Sequence, residues 1–464
     1  MKRFIVPLLA AVMVVSIIFA GCMPTAAPSP VIPPVTPPVT PPVTPPEEAG
    51  EVNIGFLCAL TGADAGWGLP GVTGNQLFID KVNAEGGLLV GGKRYKINMI
   101  LYDDEASGSK ALTGARYLVM EKDVKFINSI GGQCADSTHP FLTEHKVFYA
   151  PLISGDIRPD RPYLIGGGDA NPRGDMARTR YIREHFPNAK RWAETSQDDI
   201  GGYVTSMYEV GGAVANGFDI VYNKYFDLAT TDFAPIVSAI LATKPDVISW
   251  GNTYPTYVTM LYEQCYLQGY EGVITCNYID YEATLARVPK EYLHATYGID
   301  GYPEFDDPWW DNPKLWEPDG RQHQFYEDWM ARFGPGAPDD VGRRICPIDW
   351  DHVVMTEVWA HGAQIAGTFD PDAILAALKA EPYTPTILGP GIWWGTKCFG
   401  NDNIIQPPTY ICEANADGVR RIVDEIDFPP YYETIHSTVR AWMEEYEIAW
   451  WQKMGLPECP EYAR

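Results

Sequence analysis

From residue 52 onward, short apolar runs alternate with longer stretches whose apolar positions recur at helical spacing. The pattern predicts strands at 52–57, 97–102, 126–130 and 147–150, with helices between them, one ending at 83 and one covering 111–121. A second series starts after Arg173. Its helices fall at 176–186, 203–216, 233–243 and 257–268, and its strands at 191–193, 220–225, 245–250 and 272–276. Strand–helix alternation builds a parallel sheet with helices on both faces. Two such series predict an α/β protein with two similar doubly wound lobes. Further on come helices at 322–333, 351–365 and 371–380, short strands and turns at 389–413, and an amphipathic helix at 432–454 whose Trp442, Trp450 and Trp451 are expected to pack on the body.

The stretch 125–140 organises the first lobe. Its apolar run stops at Gly131-Gly132, where the backbone can turn sharply, and Asp136, Ser137 and Thr138 are helix-capping types ahead of Pro140. The pattern predicts a helix starting near Pro140, with proline in its first turn. Free N–H groups and the positive end of the helix dipole would then meet small hydroxyls at the carboxyl end of a strand, where open α/β sheets bind ligands.

The amino terminus has a different character. Lys2 and Arg3 precede an apolar run from 4 to 20, and Ala20-Gly21-Cys22 follows. That order predicts a secretory signal with a lipobox over 1–22, and lipidation at Cys22. Phe19 stands three before the cysteine, where such signals usually carry an aliphatic residue. Residues 23–50 hold eleven prolines, with Val-Thr-Pro-Pro three times in succession, which suits an extended tether. At about 3.1 Å per residue it would reach roughly 80 Å. No other apolar stretch is long enough to span a bilayer.

The formal charge of −25 argues against a nucleic-acid partner, which needs a basic face. Beyond Cys22, eight cysteines remain, and an exported chain permits bridges. Cys398 with Cys412, Cys265 with Cys276, and Cys58 with Cys134 are the pairings considered. No spacing suggests a metal, and Asp306, Asp307 and Asp311 lack calcium-loop spacing. No cofactor is expected.

Several segments together resemble one family: 52–62, Val82-Asn83-Ala84-Glu85-Gly86-Gly87-Leu88, Asp103-Asp104 with Ala111 and 115–119, the 134–140 turn, 370–378, and 389–410. Their order and spacing are similar to the leucine/isoleucine/valine-binding type of ABC-importer solute receptor. The resemblance covers most of 51–424. It implies a type I periplasmic-binding fold, two doubly wound parallel-sheet lobes joined by a three-segment hinge and closing on a ligand. On that basis lobe 1 is expected over 51–171 plus 298–390, lobe 2 over 172–297 plus 391–426, and a helical tail over 427–464. The implied protein is a monomeric receptor, held at the cell membrane by its lipid, facing the periplasm or exterior and serving an ABC permease.

The resemblance also places site residues. A hydroxyl after the focal cysteine normally holds the ligand carboxylate, but Ala135 stands there, and Asp136 replaces a neutral residue. Ser137, Thr138, the amides of the turn and Ser154 remain for an acidic group. Trp67 matches the loop covering the ligand. Ile200 stands where a tyrosine before a glycine is usual. An acidic residue normally lies near Asn277-Tyr278; here Asp280 comes slightly later. Trp67, Trp250, Tyr254 and Tyr278 are expected as an aromatic wall. The expected ligand is a small polar or aromatic organic solute, amino-acid-like, which need not be a standard branched-chain amino acid. Three rival readings are a ligand-sensing lipoprotein using the same clamp, an exported hydrolase using Asp136, Ser137 and His139, and sugar stacking on Trp309-Trp310.

Overall fold

Each strand of the first half is answered by a strand in one five-stranded sheet, in the order β2-β3-β1-β4-β5. Its members are β1 (Glu47–Cys58), β2 (Leu88–Val90), β3 (Lys93–Asp103), β4 (Phe126–Ser129) and β5 (Phe148–Pro151). β1 pairs in parallel with β3 and β4, and β4 with β5; only the β2–β3 hairpin is antiparallel. This is a computed structural model, and it describes residues 47–453 apart from 63, 153–156, 168–172 and 303–320. The expected leader 1–22 with Cys22, most of the tether, Ser154, and the 303–320 stretch with its Trp309-Trp310 pair lie outside the described residues. β1 begins at Glu47, opposite Lys93, so the last residues assigned to the tether are already sheet.

Helices α1 (Ala65–Ala84), α2 (Gly108–Arg116) and α3 (Gln133–Glu144) fill the intervals between these strands, with a π-helical turn Tyr117–Glu121 prolonging α2. β4 is buried at every position, as expected of a central parallel strand. In α1 the glycines let backbone approach backbone. A Cβ at Gly74 would lie 2.2 Å from the Asp349 carbonyl oxygen, and one at Gly68 only 2.0 Å from that of Ala59.

The second half repeats the design in an all-parallel sheet, β7-β6-β8-β9. It contains β6 (Arg191–Gln197), β7 (Asp219–Phe226), β8 (Val247–Ser249) and β9 (Val273–Thr275). α4 (Arg173–His185), α5 (Ile200–Ala215), α6 (Ala234–Ala242) and α7 (Pro255–Leu267) lead into or join these strands, and α8 (Tyr281–Leu285) and α9 (Lys290–Ala295) follow. α10 (Arg321–Phe333), α11 (Pro347–Ala366) and α12 (Pro371–Ala380) return to the first lobe. There Trp350, Val354, Trp359, Ile374 and Leu378 share a core with Ile54, Phe126 and Phe148.

The segment beyond residue 390 serves both lobes, where the sequence placed it in the second alone. β10 (Ile392–Trp394) pairs with β11 (Ile404–Gln406), α13 (Thr396–Phe399) lies between them, and Ile404 bridges to Gly166 while Leu164 bridges to Tyr149 of β5. This pair therefore extends the first sheet. β12 (Thr409–Ala414) pairs with β13 (Arg420–Ile426), and Cys412 bridges to Asp300, next to Ile299, which bridges to β9. This pair extends the second. The last helix, α14 (Phe428–Lys453), lies on α5, with Val439 and Trp442 over Gly211. No described helix is long and apolar enough to cross a membrane.

The second lobe holds a fully buried charge cluster. Arg178 bonds to Asp175 at 2.7 Å, to Glu209 at 3.1 Å and to the Thr275 hydroxyl at 3.0 Å. The seven described cysteines, Cys58, Cys134, Cys265, Cys276, Cys346, Cys398 and Cys412, carry free thiols. The three pairings considered from sequence are thus not formed: these side chains pack as small apolar groups within cores and caps.

Candidate functional site

The carboxyl ends of both sheets converge on one cavity. The first lobe contributes Asp64 and Trp67 after β1, Asp104 and Ala106 after β3, Ile130 to Gly132 and Cys134 after β4, and Leu152 after β5. The second contributes Gln197, Asp199 and Gly201 after β6, Asn252 and Tyr254 after β8, and Asn277 after β9; Tyr302 completes the wall. The free volume between these loops is small, about 40 Å³.

The β4–α3 turn is built as the glycines predict, with φ of 104° at Gly131 and 63° at Gly132. The helix, however, starts at Gln133 rather than near Pro140. The Asp136 amide closes the first turn on the Gly132 carbonyl at 3.1 Å. That shift changes which side chains reach the cavity. Ala135 is fully buried in the core, and Thr138 spends its hydroxyl on the Cys134 carbonyl at 2.7 Å. Asp136 pairs with the buried Arg161 instead of facing a ligand or completing a group with Ser137 and His139. Neither Ser137 nor Thr138 lines the cavity; Cys134 and the glycines do.

Of the other residues singled out from sequence, Trp67, Tyr254 and Asn277 line the cavity. Tyr278 stands just behind it, its ring edge-on to Trp67 with centroids 5.7 Å apart and 5.6 Å from Tyr302. Ile200 opens α5 beside the cavity-lining Gly201. Trp250 belongs instead to the core under α7, packed among Val258 and Leu261, and is no part of the aromatic wall. Asp280 caps α8 by accepting the Ala283 amide at 2.9 Å and does not line the cavity.

Three acids that sequence reasoning passed over dominate the electrostatics. Asp199 caps α5, accepting the Gly202 amide at 2.7 Å, and also accepts the Tyr254 hydroxyl at 2.6 Å. Asp64 faces it from across the cleft, close enough for the same phenol to favour its charged form. Burial, then the Asp199 charge, pushes the Asp64 carboxyl up to about 7. Burial pushes Asp104 up to about 6, against the Ala106 amide and the Cys134 thiol, which bond to its charged form. Each acid follows a β-strand of a parallel sheet, and that position was the available signal.

Supports behind the wall fix its orientation. His352 of α11 donates from Nε2 to the Trp67 carbonyl at 2.9 Å. Arg420 pairs with the buried Asp300 at 2.8 Å and lies over the rings of Tyr281 and Tyr278. Asp300 in turn accepts the Ile279 amide at 3.2 Å, so one ion pair anchors the Tyr278 segment. Among the described residues no cluster of three or more His, Cys, Asp or Glu is arranged to hold a metal ion.

Comparison with known proteins agrees with this architecture. The family model for periplasmic binding proteins matches residues 51–419. The leucine-binding protein of Thermotoga maritima superposes with a TM-score of 0.64 at 14% identity, over 82% of this chain and 99% of that one. A branched-chain amino-acid transporter substrate-binding protein from Streptococcus pneumoniae, in complex with isoleucine, gives 0.64 at 16% identity over 81% and 100%. A solute-binding protein from Rhodopseudomonas palustris BisB5, in complex with 3,4-dihydroxybenzoic acid, gives 0.62 at 18% identity over 82% and 99%. A search of curated proteins finds no match.

Proposed function

The chain belongs to the periplasmic binding protein family, of the leucine/isoleucine/valine-binding type, and from that premise we propose that it is an extracytoplasmic receptor delivering a small organic solute to an ABC importer. The observation that carries this reading is the cavity itself: loops from the carboxyl ends of both parallel sheets enclose one small space, with Trp67 over it. Such a crevice is where open α/β sheets take ligands. The relatives solved with isoleucine and 3,4-dihydroxybenzoic acid support a small organic solute.

In this reading Asp64, Asp104 and Asp199 supply charge, Asn252 and Asn277 supply polar contacts, and Trp67 and Tyr302 supply ring faces. Lipidation at Cys22 and the Pro-rich segment behind it would hold the receptor at the membrane within reach of its permease. Solute entry would part the lobes at the segments that run between the two sheets.

The test is ligand-dependent closure. Small-angle scattering of the purified chain should show a smaller radius of gyration on adding a solute that raises its melting temperature, and Trp67→Ala should remove both responses. Scattering and melting that ignore every amine, amide, amino acid and carboxylate tried would count against a receptor.

A further inference from the structure

We propose that the cleft selects a small organic cation, an ammonium-bearing solute with a compact body, and rejects carboxylates. The proposal rests on the solute-receptor reading and narrows it.

Charge balance is the first argument. The cavity lining includes three carboxylates and no Lys, Arg or His among the described residues. The second is an unmet acceptor. Oδ1 of Asp64 is buried with no hydrogen-bond partner, although its carboxyl group lines the cavity. An ammonium ion there would form charge-assisted hydrogen bonds with Asp64 and with Asp199 across the cleft. The third is the wall: the rings of Trp67 and Tyr302 line the same cavity, and aromatic rings attract a cation.

The opposite end of an amino acid finds less. Of the hydroxyls expected for a carboxylate on α3, Thr138 is spent on the Cys134 carbonyl and Ser137 does not line the cavity. The Gly131 amide is directed to the Ser129 hydroxyl at 3.3 Å. A free carboxylate would also have to sit against Asp104 and Asp199, a like-charge contact in a poorly hydrated space.

Protonation adds a signature. Without a cation, the Asp64 carboxyl stands near 7, raised by burial and by Asp199, with Asp104 a further repulsive neighbour and the Tyr254 phenol opposing them. A bound ammonium ion stabilises the ionised form, so a proton leaves Asp64 for solvent on binding. Affinity for a cation of high pKa therefore climbs between pH 6 and pH 8.

The experiment uses the full chain in thermal-shift and calorimetric titrations with matched probes: benzylammonium and n-butylammonium, the neutral benzamide and butyramide, and benzoate and butyrate. At least one amine should bind about tenfold or more tighter than its amide partner, with heats that depend on buffer ionisation. Asp64→Asn and Asp199→Asn, which keep size and a side-chain oxygen, should each weaken the amine about tenfold while the melting temperature of the free protein confirms folding. Binding by amides or carboxylates in preference to amines overturns the cation assignment and leaves the receptor reading standing. Amine binding unaltered by both substitutions also overturns it. Silence from all three charge classes overturns the assignment and the receptor reading together.

Discussion

Tyr254 donates its hydroxyl proton to Asp199 at 2.6 Å, and the charge this bond holds on Asp199 faces the Asp64 carboxyl on the other lobe. That bond stabilises ionised Asp199 against the burial that raises its pKa. Tyr254→Phe should therefore move the Asp199 titration upward, readable as the carboxyl carbon shift in an NMR titration. An unmoved midpoint would show that the phenol does not hold this charge.

Stability of the ligand-free protein should fall as pH rises from about 6.5 to 7.5. Burial raises Asp64, Glu209 and Glu357 to about 7, whereas unfolded carboxyls have lost their protons well below that. In this window the folded state binds more protons than the unfolded, so each carboxyl that titrates there withdraws stability as pH rises. His352 and His139, lowered to about 4 by burial, act in the opposite direction but mainly below pH 6.5. Melting temperatures across the window test this, and Asp64→Asn should flatten part of the slope.

Arg178→Met leaves Asp175 and Glu209 buried without their cation. Breaking a buried pair by removing one partner costs about 3–5 kcal/mol. Urea unfolding should show that loss, while removing the charges on all three together should cost less than the single change.

Gly74→Ala and Gly66→Ala separate packing from helix propensity on one helix. A Cβ at Gly74 meets the Asp349 carbonyl, and overpacking of this kind costs about 1–3 kcal/mol. A Cβ at Gly66 meets nothing within 4 Å, so alanine there should be neutral or stabilising by up to about 1 kcal/mol. Equal effects at the two positions would contradict the close approach of α1 to α11.

Most of the architecture was legible because the chain writes it in period: β4 is apolar from Phe126 to Ile127 and stops at two glycines, and the second series repeats the plan from β6 to β9. The site was legible only in outline. Trp67, Tyr254 and Asn277 line the cavity, but Pro140 suggested a helix start seven residues too late, and Ser137 and Thr138, expected beside the turn, lie within α3 and off the lining. Pro140 stands inside α3, where it forgoes the bond to the Asp136 carbonyl. Asp104 and Asp199 stood in recognised strand-end loops, yet nothing local marks an acid as turned inward; that depends on the facing lobe. Trp250 shows the converse, a ring at a strand end that the helix above it covers.

The glycine face of α1 has a consequence for how solute is exchanged. Gly68 and Gly74 press that helix against the backbone of Ala59 and Asp349, and Trp67 is tied by its carbonyl to His352. The backbone that carries the indole is therefore held in place. For the receptor proposed above, admission and release would then displace whole halves of the molecule, with the connecting strands rather than a mobile cover setting the pace.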